Sequence, residues 1–417
     1  MEGKELNKRF WVAMLVFGLM GQVAWVVENM YFNVFIYKMF HASAADISAM
    51  VMASAVMAAL TTLIMGAVSD KVGKRKAFMS VGYIIWGLSI ITFAYIKSIF
   101  MTIVMDCIMT FFGSTANDAA YNAWLTDRGD TGNRGKIEGI NSMMPLVSIL
   151  IVFGGFMSFN LDEHSSWVTI YYIIGAATTL IGIAGAFLIE DAPDLKKTED
   201  SLGDTLLYSF RPSVFKENRL LYFILVEFAM FGISIQVFMP YLIIYYEKTL
   251  GMSNYVLIMA PAILAAAVVT AFYGKVYDKN GFKVSIKLPL VMLAAGYLLL
   301  YATKSMVPVF IGSLLMMSGY LTGMSVFGAK IRDLIPENKS GRFQGVRIIG
   351  QVFIPGLIGP AIGAAVLKDA ELIYNDDGTT SFLPDKSIWV AALLVLILLA
   401  AVIWGRERRK KLGQNVK

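Results

Sequence analysis

Twelve stretches of this chain stay apolar for roughly 20 residues at a time, the length an α-helix needs to cross the hydrocarbon core of a bilayer. They lie at roughly 10–37, 45–68, 77–96, 98–123, 140–160, 167–189, 219–246, 254–273, 284–303, 307–329, 343–367 and 387–405. Within lipid a backbone satisfies its own N–H and C=O groups only as a helix or a closed barrel, and runs this long read as helices. Composition agrees: 57% of the 417 residues are hydrophobic, 16% are charged, and the mean hydropathy is +0.64. Soluble domains hold about 45–50% apolar and about 25% charged residues. The expected fold is an all-α membrane protein with twelve transmembrane helices. The first span is not expected to be a cleaved signal peptide, because it is too long, lacks a small-residue cleavage site and carries Glu28. One cysteine, Cys107, excludes an internal disulfide and a cysteine cluster, and two histidines leave little for a histidine metal site. No metal or other cofactor is expected.

Loop charge sets the orientation. Thirty of the 36 Lys and Arg fall on alternate loops and at the two ends; only Lys38, Lys97, Lys248, Lys304, Lys368 and Lys386 fall on the other side. Positive charge marks the cytoplasmic side, so both termini are expected there, with the bacterial inner membrane as the expected location. The net charge of +6 is then a topology signal, and nucleic acid is not an expected partner.

The chain also repeats itself. After the second span it reads Gly66-Ala-Val-Ser-Asp70-Lys71-Val-Gly73-Lys74-Arg75-Lys76, and after the eighth Gly274-Lys-Val-Tyr-Asp278-Lys279-Asn-Gly281-Phe-Lys283. After the fourth span come Asp127, Gly135 and Gly139; after the tenth, Asp333, Gly341 and Gly345. Both echoes lie close to half the chain apart, which implies two pseudo-symmetric six-helix halves. The expected division is 1–189 for the first half, 190–218 for a cytoplasmic linker, 219–405 for the second half and 406–417 for a basic tail. Parallel repeats of this kind place a substrate site at the midplane between the halves.

The segment from Gly66 to Lys76 resembles the signature loop of the major facilitator superfamily, Gly-x-x-x-Asp-Arg/Lys-x-Gly-x-Arg/Lys-Arg/Lys, at every defined position. The resemblance implies a transporter over the whole chain, and a loop that stabilises the state closed to the cytoplasm. Gly66, Asp70, Gly73, Arg75, Asp127, Asp278, Gly281, Asp333 and Arg342 are the expected gating residues. Asp70 is expected to accept hydrogen bonds from Arg75, or from Arg342 of the other half, or to cap the eleventh span. Within the superfamily, Asn117-Asp118-Ala-Ala-Tyr121-Asn122-Ala-Trp124-Leu-Thr126-Asp127 resembles the end of helix 4 in the glycoside-pentoside-hexuronide cation symporters. Ala120 stands where their pattern has proline, and the second span has only Asp46, at its outer end, where they carry paired aspartates.

Polar residues inside spans usually face a cavity. At 100° per residue, Gln22, Trp25, Glu28, Asn29, Phe32 and Asn33 share one face of the first span. One acid, three amides and two aromatics suit a polyhydroxylated ligand, whose hydroxyls need donors and acceptors and whose C–H face stacks on rings; the alternative is an interhelical packing seam. In the fourth span Asp106, Asn117, Tyr121 and Trp124 share a face, and Asp118 lies nearer the cytoplasm, where it is a second candidate or a structural partner of Arg128 or Arg134. Glu227 and Tyr241 mark a stripe in the seventh span, and Gln351 follows Arg347 in the eleventh. The expected substrate contacts are Gln22, Trp25, Asn29, Asn33, Asn117, Tyr121, Trp124, Tyr241 and Gln351, and the expected cation-coupling acids are Glu28, Asp106, Asp118 and Glu227.

No Gly-x-x-x-x-Gly-Lys-Ser/Thr loop is present, so ATP-driven transport is not expected. Neither is an enzyme, since no catalytic constellation is evident. The leading expectation is a secondary active transporter moving a small hydrophilic solute, a sugar or glycoside, with a proton or sodium ion. The competing ones are an exporter or antiporter of an amphipathic or lipophilic compound, and a non-transporting receptor on the same fold. Expected partners are the small solute, the coupling cation and membrane lipid.

Overall fold

The computed structural model describes residues 6–129, 133–192, 207–335, 340–375 and 378–414. It divides into two compact units, Met1–Tyr208 and Ser209–Lys417. The first contains α1 (Lys8–Phe40), α2 (Ala44–Val72), α3 (Lys76–Tyr95), α4 (Ile99–Arg128), α5 (Arg134–Phe156) and α6 (His164–Leu188). Their starts follow from local chemistry. Asn7 accepts from the Phe10 N–H at 2.9 Å, and Ser98 from that of Met101 at 3.3 Å. Ser43 and Asp46 form a reciprocal capping box at the head of α2, which is the role of that span's outer acid.

In the second unit a short helix, Pro212–Glu217, precedes α7 (Arg219–Thr249). Then come α8 (Val256–Ser285), α9 (Lys287–Ala302), α10 (Met306–Leu334), α11 (Ser340–Ile348, continued through Ile349–Phe353 to Ile354–Val366) and α12 (Ser387–Gln414). Between α11 and α12 lies an antiparallel hairpin, β1 (Leu372–Tyr374) and β2 (Thr380–Phe382), paired Leu372 with Phe382 and Tyr374 with Thr380. The all-α expectation missed it, although Asn-Asp-Asp-Gly flanked by β-branched and aromatic residues is a hairpin signal.

Among the described residues eleven helices are long and apolar enough to cross a membrane; a further one, α9, has 16 residues. The expected span 284–303 starts late: α8 kinks at Gly281 (φ 67°, ψ 179°) and continues to Ser285, and a turn at Ile286 separates it from α9. Sixteen residues reach roughly 24 Å, short of the roughly 30 Å core. Lys287 and Lys304 flank α9 and have stems long enough to bring their charges to the interface. Leu60, Ile64, Leu180, Phe187, Phe272 and Trp404 are exposed on the helix surfaces. In water such a surface would aggregate, whereas in a bilayer it meets acyl chains.

Two local features shape the helices. At the crossing of α3 and α6, a Cβ on Gly87 would lie 2.5 Å from the Gly175 carbonyl oxygen, so any other residue would force the helices apart. Four π turns widen helices: Val27–Tyr31 in α1, Ser114–Tyr121 in α4, Tyr245–Thr249 at the end of α7 and Ile349–Phe353 in α11. A steady 100° per residue fails across such turns. Glu28 is buried while its neighbour Asn29 is exposed.

One arginine gathers the ends of the first unit. Arg75, between α2 and α3, donates from Nε to Asp127 Oδ2 of α4 at 2.8 Å and from Nη2 to Asp70 Oδ1 of α2 at 2.5 Å; Nη1 reaches Ser69 Oγ at 2.5 Å. Burial alone would lower the pKa of Arg75, but the carboxylates of Asp127 and Asp70 outweigh it and hold the group above its ordinary value, so it stays charged. Gly73, at φ 67°, supplies the left-handed turn that lets the chain double back toward Arg75. Asp191, just beyond α6, accepts from the N–H groups of Arg75 and Lys76 at 2.7 and 2.9 Å and so caps α3. Its neighbour Glu190 accepts from Arg9 at 2.5 Å and pairs with Arg128 at 3.6 Å, and the Glu190 carbonyl accepts from Trp124 Nε1 at 2.8 Å. These two acids, read in the sequence as the start of a linker, are the tie of α6 to α1, α3 and α4. Residues 193–206 of that linker lie outside the described residues.

The repeat does not reproduce this hub. Lys283 holds the place of Arg75 and pairs with Glu407 of α12 at 2.9 Å. Asp333 accepts from the Tyr277 hydroxyl at 2.5 Å, and Asp278 is exposed. A compact ammonium lacks the fork with which a guanidinium bridges several acceptors. Arg75→Ala is therefore expected to destabilise the protein by on the order of 2 kcal/mol, less than a fully buried pair because the Asp70 side chain is 41% exposed. Arg75→Lys should fall between, and Asp278→Asn should leave the melting temperature in detergent unchanged. Equal melting temperatures for Arg75→Ala and the parent would contradict the hub.

Candidate functional site

The π turn of α1 carries Glu28, 6% exposed, to hydroxyls of two other helices. Its Oε1 accepts from Ser54 of α2 at 2.7 Å and from Thr110 of α4 at 2.9 Å; the two hydroxyls lie 3.0 Å apart. One turn before Thr110, Asp106 is 2% exposed and interacts with Glu28 through space. Glu28 Oε2 and Asp106 Oδ1 have no hydrogen-bond partner, and neither acid has a cationic partner among the described residues. Buried acids without a counter-ion are costly in an apolar span, so Glu28 and Asp106 are the residues here that could hold a cation. Among the described residues no group of three or more His, Cys, Asp and Glu could hold a metal ion.

Beside this pair stands an aromatic wall. Trp25, one turn before Glu28 and half-buried, lies 4.9 Å from the Trp86 ring of α3 at an interplanar angle of 48°. Gly113 of α4 makes room for both: a Cβ there would lie 2.8 Å from Trp86 and 3.0 Å from Trp25. Neither indole N–H finds an acceptor. Asn33 donates to the Asn29 carbonyl at 3.1 Å and Asn29 to that of Trp25 at 2.8 Å, so both amides spend a donor on their own helix. The Asn33 Oδ1 is left without a partner. Buried polar atoms are normally paired, so this set of orphan donors and acceptors stands out. Gln22 is half-buried on the same helix.

Other expected contacts are committed to packing. Asn117 donates to the Tyr83 hydroxyl at 2.7 Å, which donates to the Phe17 carbonyl at 2.6 Å. The Tyr121 hydroxyl donates to the Met14 carbonyl at 3.0 Å, and Trp124 packs on Phe10 with ring centroids 4.8 Å apart. These residues join α4 to α1 and leave little of their surface for a ligand. Asp118 is half-buried, and Arg128 pairs with Glu190 instead.

In the second unit Glu227 is paired. Both of its oxygens accept from Arg406 of α12, at 2.6 and 3.1 Å, and its side chain is 1% exposed. A bidentate arginine neutralises this carboxylate within the unit, unlike Glu28 and Asp106. Tyr241 is buried with its ring edge-on to Phe382 of β2, and Gln351 accepts from Arg347 at 3.3 Å. Of the expected gating residues, Asp70, Gly73, Arg75 and Asp127 meet in the hub, with Gly66 uncrowded beside it. Asp278, Gly281 and Asp333 form no such cluster, and the Arg342 side chain lies outside the described residues.

Sequence reading overlooked Ser54, Trp86, Glu190, Asp191 and Arg406. Ser54 carried a faint signal, a lone hydroxyl in an Ala, Met and Val stretch. Arg406 was hidden within a basic tail that reads as a topology signal. A wheel drawn for one helix cannot show which neighbour meets it.

No curated protein is similar enough in sequence to match. Solved structures share the fold. A mutant of the nucleoside transporter NupG is 13% identical, with a TM-score of 0.75 over 96% of this chain and 99% of that one. A bacterial homolog of the human lysosomal transporter Spinster is 15% identical, at 0.73 over 97% and 98%. The D-xylose-proton symporter is 13% identical, at 0.69 over 94% and 96%. The sequence profile of the Major Facilitator Superfamily matches residues 10–360, and with the signature loop and the twelve-helix fold already described, the chain belongs to that superfamily.

Proposed function

We propose that the protein is a secondary active transporter that moves a small hydrophilic solute of the sugar or glycoside class together with a cation, a proton or sodium ion, by alternating access. The observation that carries this reading is the Glu28–Asp106 pair: two buried acids that interact, each with an oxygen lacking a hydrogen-bond partner, and no cationic partner among the described residues. Such a pair is costly in an apolar span unless a cation arrives, and a group that fills and empties in this way is what coupling requires. Trp25 adds a half-exposed ring face and an unpaired N–H one turn away, suited to a ring-shaped solute with hydroxyl groups. Two structural neighbours, by their names, are a nucleoside transporter and a D-xylose-proton symporter, both of which handle polar ring compounds. The setting of this reading is a bacterial inner membrane with both termini in the cytoplasm, as loop charge predicts.

In proteoliposomes with imposed proton or sodium gradients, Glu28→Gln is expected to abolish concentrative uptake of the transported sugar while sparing exchange, and Asp106→Asn to weaken it. Full concentrative uptake by both variants would sink the assignment. Trp25→Phe keeps an aromatic face, smaller than the indole, and removes the unpaired N–H. Losing one hydrogen bond costs on the order of 1 kcal/mol, so the apparent affinity should fall about fivefold. Trp124→Phe, whose N–H serves the Glu190 carbonyl, should leave the affinity unchanged. Unaltered affinity in Trp25→Phe would return the tryptophan to a packing role.

A further inference from the structure

The segment that leads into α7 forms a groove at the membrane interface, independent of the Glu28 cluster. The short helix Pro212–Glu217 is clamped back on α7: Val214 is buried, the Phe215 and Tyr222 rings meet at 4.9 Å, and the Tyr222 hydroxyl donates to the Ser209 carbonyl. Between the short helix, α7 and the start of α11 lies a cavity of about 690 Å³. Its walls combine two chemistries. Phe210, Phe215 and Phe223 are 46%, 46% and 55% exposed, and Lys216 and Arg219 are exposed beside them. Ser209 lines the groove, is itself fully buried, and its hydroxyl has no hydrogen-bond partner among the described residues. Arg211 is also exposed in this segment, and Glu217 is its one acid, so positive charge dominates.

We propose that this groove binds one anionic glycerophospholipid, with its phosphodiester on Lys216 and Arg219 and an acyl chain along Phe210, Phe215 and Phe223. Depth selects the occupant. Arg219 is the first residue of a membrane-spanning helix and Phe223 lies one turn inside it, so Arg219 stands at headgroup level and Phe223 at the level of the first methylenes, with Lys216, Phe210 and Phe215 lining the same groove. A soluble anion would use the cations and leave three phenyl rings in water; a neutral lipid would cover the rings and leave two cations without a counter-charge. An anionic lipid satisfies both, and its phosphate or ester oxygens can accept from the orphan Ser209 hydroxyl.

The test uses the purified full-length protein, native mass spectrometry, and phosphatidylglycerol and phosphatidylcholine with identical acyl chains. The parent should retain phosphatidylglycerol in preference to phosphatidylcholine. Each cation near an anionic headgroup contributes about fivefold, so Lys216→Gln with Arg219→Gln should weaken phosphatidylglycerol retention on the order of twentyfold and leave phosphatidylcholine unaffected. Both residues are exposed, so an unchanged melting temperature is the expected folding check. Phe215→Ser should weaken retention of the lipid without altering the response to inorganic phosphate. Equal retention of the two lipids by the parent, undiminished phosphatidylglycerol on the double variant, or its displacement by inorganic phosphate would each overturn the proposal.

Discussion

The interior of a bilayer offers no water to a polar group, and the rest of this structure follows from that. The backbone satisfies itself by forming helices. Hydroxyls in the spans do the same on a smaller scale: Thr62, Thr178 and Thr270 each donate to the carbonyl four residues earlier, at 2.7–2.8 Å. Against this background of satisfied groups, an unsatisfied one carries information. The free oxygens of Glu28 and Asp106 and the free indole N–H groups of Trp25 and Trp86 all belong to α1, α3 and α4 of the first unit. The second unit instead neutralises its buried acid, Glu227, with Arg406. The duplicated halves therefore share an architecture and differ in where charge is left uncompensated.

A similar asymmetry marks the helix ends. The glycines of the repeated loop share a positive φ of 67°, which side chains disfavour, but Gly73 (ψ 36°) closes α2 as a left-handed cap whereas Gly281 (ψ 179°) is a break inside α8. The cations beside them are not equivalent. Arg75 bridges Ser69, Asp70 and Asp127 with one planar fork, whereas Lys283 reaches a single acid on α12. A backbone constraint has outlasted the duplication, while the electrostatics built on it has diverged. Removing a buried guanidinium leaves two acids, Asp70 and Asp127, without their counter-ion, so the two loops contribute unequally to holding their units together.

Much of the fold was legible in sequence because the bilayer imposes a length and a hydropathy that a single helix must meet alone. Where the reading slipped, the cause was local. α8 ran on past its kink at Gly281 to Ser285 and left α9 with 16 residues, and the π turns in α1 and α4 rotated side chains out of the regular wheel. Glu28 is buried and Asn29, the next residue, is exposed. The site was legible only in part. Glu28 and Asp106 declared themselves as acids in apolar spans, but Asn117, Tyr121 and Trp124 looked equally polar and are used for packing between α4 and α1.

By itself, then, the amino-acid sequence determined the helical membrane fold, the duplication and the acids that needed explaining, since each depends on composition and spacing along one segment. The tertiary structure alone decided which acids were answered. It set Ser54 and Thr110 against one oxygen of Glu28 and left the other bare, and it brought Arg406 from the far end of the second unit to Glu227. It also turned Glu190 and Asp191 from the start of a linker into the clasp of the first unit. The energy of a buried charge depends on what lies within a few ångströms of it, and for these residues the neighbours come from positions tens to nearly two hundred residues away in the chain.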